Sequence, residues 1–146
     1  MTVQIGFASA KAFAGQEVGF FAHFALQPGW HIYDSPLPES YTATSITFED
    51  VSVLEQKLEL PEPEILDILV LEEMLPVYTG SVNGIGSLLL KHPLPEGPLK
   101  LHGRIEFQQC SDRVCEPPQT IPFELALNLE PFTISEREKK LKESAQ

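Results

Sequence analysis

Residues 99–129 read LKLHGRIEFQQCSDRVCEPPQTIPFELALNL, and this stretch holds the clearest strand patterning together with both cysteines of the chain. On its N-terminal side Leu99, Leu101, Gly103, Ile105 and Phe107 alternate with Lys100, His102, Arg104, Glu106 and Gln108. On its C-terminal side Ile121, Phe123, Leu125, Leu127 and Leu129 take every second position. A period of two is the signature of a strand with one face in a core and the other toward solvent. Pro117 and Pro118 exclude a helix between the two runs, since each lacks an amide donor and restricts the residue before it. The stretch is therefore expected to be a hairpin whose loop contains Cys110 and Cys115.

The same alternation recurs in Val18, Phe20, Ala22, Phe24 and Leu26. Shorter strand candidates are Val3–Phe7, Ile46–Phe48, Val51–Val53 and Val82–Leu90. Turn signals separate them at Gln27-Pro28-Gly29, Ser35 to Pro38, Pro61-Glu62-Pro63, Asn83-Gly84 and Pro93 to Pro98. The segment Glu64 to Met74, EILDILVLEEM, suits a helix face through Ile65, Ile68 and Leu69 and a strand through Leu66, Ile68 and Val70; it is read as a strand. Many short strands, 13 prolines and no long amphipathic helix point to an all-β chain, an immunoglobulin-like antiparallel sandwich. Residues 1–132 form the expected domain. Residues 133–146 change composition sharply, and Ser135 followed by Glu138 is a capping-box pattern, so this charged tail is expected to be a short helix or a linker.

The chain has 146 residues, 42% of them hydrophobic and 21% charged, which fits one folded domain able to bury a core. Ten Lys plus Arg against 21 Asp plus Glu give a net charge of -11, a field that repels nucleic acid and anionic membrane surfaces. Glu72, Glu73, Lys91 and Pro93 interrupt the richest apolar stretches, so no run approaches the roughly 20 residues that span a bilayer. Ala8-Ser9-Ala10 imitates a signal-peptidase site, but the seven residues before it leave no room for an apolar segment of about 7–15 residues. Export therefore implies a signal that was removed or lies outside these residues.

Strand phase places Cys110 with Lys100, His102 and Gln108 on the outward face, provided no bulge shifts the register. Three uses of the cysteine pair compete. A structural disulfide across a loop this short stabilises by only ~2 kcal/mol in chain-entropy terms, against ~4–5 for one joining distant strands. A structural zinc site wants four ligands, and His23, His31, His92 and His102 show no ligand spacing around the single cysteine pair. A reversible dithiol/disulfide needs two sulfurs that are accessible and near in sequence, so that one can resolve a mixed disulfide made by the other. Within the loop Arg113 favours a thiolate, while Asp112 and Glu116 oppose it.

Cys110-Ser111-Asp112-Arg113-Val114-Cys115-Glu116-Pro117-Pro118 resembles the N-terminal periplasmic domain of the DsbD family of thiol:disulfide interchange proteins, also described as disulfide bond correctors. Pro28-Gly29-Trp30-His31-Ile32-Tyr33 is similar to the family's early Gly-Trp-His-Ile-Tyr stretch, and Tyr78-Thr79-Gly80 to its aromatic-x-Gly turn; together the resemblance covers roughly residues 15 to 130. It implies an immunoglobulin-like redox domain, without a cofactor, in the bacterial periplasm. Electrons would come from a thioredoxin-like domain supplied through a membrane domain. They would pass to periplasmic disulfide isomerase-type proteins and cytochrome c maturation proteins, which makes the chain a protein-disulfide reductase domain of a larger enzyme. By motif position Cys115 would bond to partners, Cys110 would close on it, and Tyr78 would match the aromatic residue that caps the pair. The four residues between the cysteines are one fewer than is frequent in the family, which bears on loop geometry and potential. The competing reading is a non-catalytic immunoglobulin-like binding module whose disulfide clips a loop. For the Trp30-His31-Tyr33 cluster, the expectation is that Trp30 and Ile32 enter the core after the Pro-Gly turn while His31 and Tyr33 alternate outward.

Overall fold

The computed structural model describes residues 1–38, 40–68 and 73–131. Its strands are β1 (Thr2–Phe7), β2 (Lys11–Ala12), β3 (Glu17–Ala25), β4 (His31–Tyr33), β5 (Ser45–Phe48) and β6 (Val53–Glu59). They continue with β7 (Glu64–Ile68), β8 (Glu73–Thr79), β9 (Ser81–Leu90), β10 (Gly97–Phe107), β11 (Gln109–Cys110) and β12 (Gln119–Leu129). Three four-stranded sheets result, ordered β1-β3-β9-β6, β2-β12-β10-β5 and β11-β4-β8-β7. The long neighbours pair antiparallel, and only the short β2 runs parallel to its partner β12. The all-β sandwich expected from the alternation is what forms. Among the described residues no helix is long and apolar enough to cross a membrane.

The alternation also predicts the buried faces correctly. Val18, Phe20, Ala22 and Phe24 of β3 are buried, and across the sandwich Leu101, Ile105 and Phe107 of β10 join Leu127 and Leu129 of β12 in the same core cluster. Phe48 on β5 is where the first two sheets meet: its ring centroid lies 5.2 Å from Phe20, 5.2 Å from Phe123 and 6.4 Å from Phe7. Both ring pairs at 5.2 Å are edge-on, the arrangement favoured by the ring quadrupole, and such a pair adds about 0.5–1.5 kcal/mol beyond the area it buries.

The third sheet is covered on both faces, and this overturns one expectation. Ile32 and Tyr78 point into the main core, whereas Tyr33, Leu75, Val77 and Cys110 make a second, smaller cluster on the opposite side. His31 and Tyr33 are therefore buried instead of facing solvent, and Trp30 is half-buried. A strand lined on both sides has no outward phase for alternation to reveal.

Other expectations move locally. Val51 is 87% exposed in a turn, and the strand starts at Val53 and runs on through the polar residues to Glu59. Asn83-Gly84 lies inside β9 and not at a turn. There a Gly84 Cβ would come within 3.0 Å of Leu60, and the Asn83 side chain meets His23 across the ladder at 2.6 Å. The chain bends instead at Gly80, between β8 and β9, where a φ of 68° suits glycine. EILDILVLEEM becomes the whole of β7 and the start of β8, with residues 69–72 outside the described residues. The expected tail helix or linker, residues 133–146, also lies outside them.

β10 is held close to β5 by a glycine. A Cβ on Gly103 would sit 2.6 Å from the Thr47 carbonyl oxygen and would collide with the Phe123 ring. Because Thr47 contributes backbone, the neighbour cannot rotate away. Gly103→Ala is expected to destabilise the domain by about 1–3 kcal/mol, read as a lower urea midpoint with an unchanged slope.

Candidate functional site

β10 and β12 form the expected hairpin, with Phe107 opposite Gln119. The connection between them does not simply loop through solvent. Phe107 and Gln108 are buried in succession, so the period of two breaks there. After the break, Gln109 and Cys110 leave β12 and pair with β4, Gln109 opposite Ile32 and Cys110 opposite His31. Cys110 keeps the side that strand phase gives it, away from the main core and shared with His31 and Tyr33, yet only 1% of its surface is exposed because the second cluster covers that side. The expectation that Cys110 is outward and accessible is thus corrected in its exposure and not in its phase: where the strand joins the third sheet, the side away from the main core is covered as well.

Gln108 holds this break together. Its carboxamide oxygen accepts the Thr42 amide at 3.0 Å, and its amide nitrogen donates to the Glu116 carbonyl at 3.2 Å. One buried side chain thereby ties the 34–44 connection to the far arm of the cysteine loop. The Glu116 carboxylate in turn accepts from the side-chain amides of Gln109 at 2.9 Å and Gln119 at 2.8 Å. At the tip, the Ser111 hydroxyl oxygen accepts the Arg113 and Val114 amides at 3.2 and 3.1 Å, a local turn that backs the Ser111 amide to Val114 carbonyl bond at 2.8 Å.

Within this frame Cys110 and Cys115 form a disulfide, and the two sulfurs differ in environment. Cys110 packs against Tyr33, Leu75 and Val77, while Cys115 is exposed. Beside Cys115 opens a cavity of about 570 Å³ lined by His31, Tyr33, Tyr41 and Leu66 on one side and by Asp112, Arg113 and Val114 of the loop on the other. The Tyr33 ring stands edge-on to His31 at 5.2 Å and tilted to Tyr41 at 5.1 Å, and His31 Nε2 lies 3.0 Å from the Tyr33 hydroxyl. Burial lowers the pKa of the His31 ring below the ordinary histidine value, with the Asp112 charge opposing that shift. Among the described residues no three His, Cys, Asp or Glu side chains gather as a metal site would require.

Tyr78 is not brought to the sulfurs. It is buried in the main core, on the face of β8 opposite Val77, and its hydroxyl lies 2.7 Å from both the Asp34 carboxylate and the Pro61 carbonyl. Burial, then the Asp34 hydrogen bond and charge, raise its pKa above the ordinary tyrosine range. These contacts are those of a core tyrosine anchoring a connection. Gln108, Tyr41 and Leu66 are the site residues that sequence reasoning missed. Only Gln108 carried a signal, since an amide next to the end of a clean alternation is well suited to satisfy the backbone where a ladder stops.

The family described as thiol:disulfide interchange protein DsbD, N-terminal, matches residues 5–127 of the chain. The chain resembles the solved N-terminal domain of Neisseria meningitidis DsbD in the reduced form at 16% identity and a TM-score of 0.53, over 79% of this chain and 82% of that one. It resembles the N-terminal periplasmic domain of ScsB from Proteus mirabilis at 21% identity and a TM-score of 0.59, over 97% of this chain. That alignment takes in 51% of the ScsB domain, so the chain spans about half its length. At these identities the likeness is one of fold. No curated protein sequence matches.

Two outcomes follow from the site's geometry. Gln108→Leu leaves the Thr42 amide and the Glu116 carbonyl unpaired, so stability should fall by about 1–3 kcal/mol and amide exchange at Thr42 should quicken. The lowered His31 pKa means that the unfolded chain binds the proton more readily. Its contribution to stability is complete above about pH 6.5, the unfolded value, and is lost as pH falls through the folded value. Urea titrations from pH 5 to 8 should show a decline on the acid side that is shallower in His31→Gln.

Proposed function

This chain belongs to the DsbD N-terminal domain family, and from that premise we propose that it exchanges electrons between proteins through the Cys110/Cys115 pair. The observation that carries the reading is the asymmetry of the disulfide, with Cys115 exposed at the mouth of a cavity and Cys110 buried behind it. In thiol–disulfide exchange the attacking sulfur must reach an incoming disulfide, and its companion must be near yet shielded from competing partners. A clip that only stabilised a loop would need neither the difference in exposure nor the cavity.

In the reduced domain the Cys115 thiolate attacks one sulfur of a partner's disulfide, and the other partner sulfur leaves as a thiolate. Cys115 and the partner are then joined in a mixed disulfide. Cys110 loses its proton and attacks the Cys115 sulfur; the bond to the partner breaks, and the second partner thiolate departs. Two electrons have passed to the partner, and the Cys110–Cys115 bond has re-formed. A thioredoxin-like dithiol reverses the sequence and restores the reduced domain. The family supports a periplasmic location, thioredoxin-like donors and disulfide isomerase-type acceptors, with the chain as the protein-disulfide reductase domain of a larger membrane-tethered enzyme. Tyr78 has a supporting role here, holding the Asp34 and Pro61 connections to β8, and the cap over the sulfurs falls to the residues of the cavity wall.

Cys110→Ala should accumulate a mixed disulfide through Cys115 when incubated with an oxidised thioredoxin-like protein, and Cys115→Ala should not, because its remaining sulfur is buried. The potential of the native pair should lie above about -300 mV against glutathione. A pair well below that value, with no trapping through either cysteine, would make the disulfide structural.

A further inference from the structure

Resting on the exchange reading, a second question is where the Cys110 proton goes. The resolving thiol is buried, so water and buffer reach it poorly, yet it must ionise before it can attack. The side chain set directly across the ladder from it is His31. Facing residues of an antiparallel pair have Cβ atoms about 4.5–5.5 Å apart on the same side of the sheet. That side is settled by Tyr33, which is two residues along β4, packs in the cluster with Cys110 and touches the His31 ring edge-on. The ring also lines the cavity that opens at Cys115.

We propose that His31 is the general base of the resolving step and that Tyr33 positions it. With Nε2–H donating to the Tyr33 hydroxyl oxygen 3.0 Å away, Nδ1 keeps its lone pair for the thiol. Nδ1 takes the Cys110 proton as the sulfur attacks Cys115, and the partner thiolate that leaves accepts that proton, so no charge remains in the site. Burial keeps the ring neutral and able to accept at neutral pH. Among the described residues, the other ionisable groups lining the cavity around it are Tyr41 from the 34–44 connection and Asp112, Arg113 and Cys115 from the loop. From β8 the register partner is Thr79, which carries no charge. Asp112 is the group whose charge favours the transient imidazolium.

The test uses the full chain, reduced, with one equivalent of Ellman's reagent. Release of the first thionitrobenzoate reports attack by one cysteine, and release of the second reports resolution by the other. In His31→Gln the ratio of the second rate constant to the first should fall roughly tenfold or more at pH 7. The deficit should shrink as pH rises and more of the thiol ionises without help. Tyr33→Phe, which keeps the ring packing and removes the hydroxyl, should show a smaller deficit with the same pH profile, and it carries the test if His31→Gln does not fold. An unchanged ratio, or a deficit that is equal at every pH, overturns the proposal alone. A native chain that releases only one equivalent overturns the exchange reading and the proposal with it.

Discussion

The buried carboxamide of Gln108 is the contact on which the rest of the site depends. A strand of one sheet ends there, and the next two residues join another sheet, so the chain must stop pairing with β12 and start pairing with β4. Backbone groups at such a crossing lose their ladder partners, and buried unpaired groups cost about as much as a lost hydrogen bond. Gln108 meets the need by accepting from Thr42 and donating to Glu116. Without that transfer the loop from 108 to 118 would be an ordinary hairpin tip with both sulfurs toward solvent.

What the transfer creates is a difference between two chemically identical residues. Cys110 is carried under the third sheet and into a small cluster with Tyr33, Leu75 and Val77. Cys115 stays on the exposed arm, five positions on in sequence. A pair placed symmetrically would let a partner attack either sulfur, and mixed disulfides would resolve in two ways. In the proposed exchange, burial of one sulfur would set the order of events by access. The aromatic wall of the cavity belongs to the same device, because Tyr33 is at once part of the cluster that buries Cys110 and part of the surface beside Cys115.

The main sandwich supplies rigidity to this arrangement without contributing to its chemistry. The eleven-residue ladder of β10 and β12 ends at Phe107 and Gln119, and Phe48 locks the two sheets behind it. Tyr78 serves from the other side of β8, where its hydroxyl ties Asp34 and Pro61 to the strand that carries Val77. Exposed ion pairs among the described residues, such as Arg104 with Glu49 and Lys100 with Glu124, are worth little to stability in water.

The amino-acid sequence by itself determined the class of fold and the inward residues of β3, β10 and β12. Alternation is a local property, and each of those strands has one face in the core and one toward solvent. The sequence also determined that the cysteines share a hairpin loop, since Pro117 and Pro118 forbid a helix whatever surrounds them. The tertiary structure alone decided which sulfur is buried. Period-two reasoning gives the side that Cys110 faces, but what covers that side is a sheet that the chain had begun near residue 31. His31 and Tyr33 were illegible for the related reason that a strand covered on both faces has no polar side to betray its orientation. Both failures come from contacts between residues about eighty apart in sequence, which no local pattern can encode.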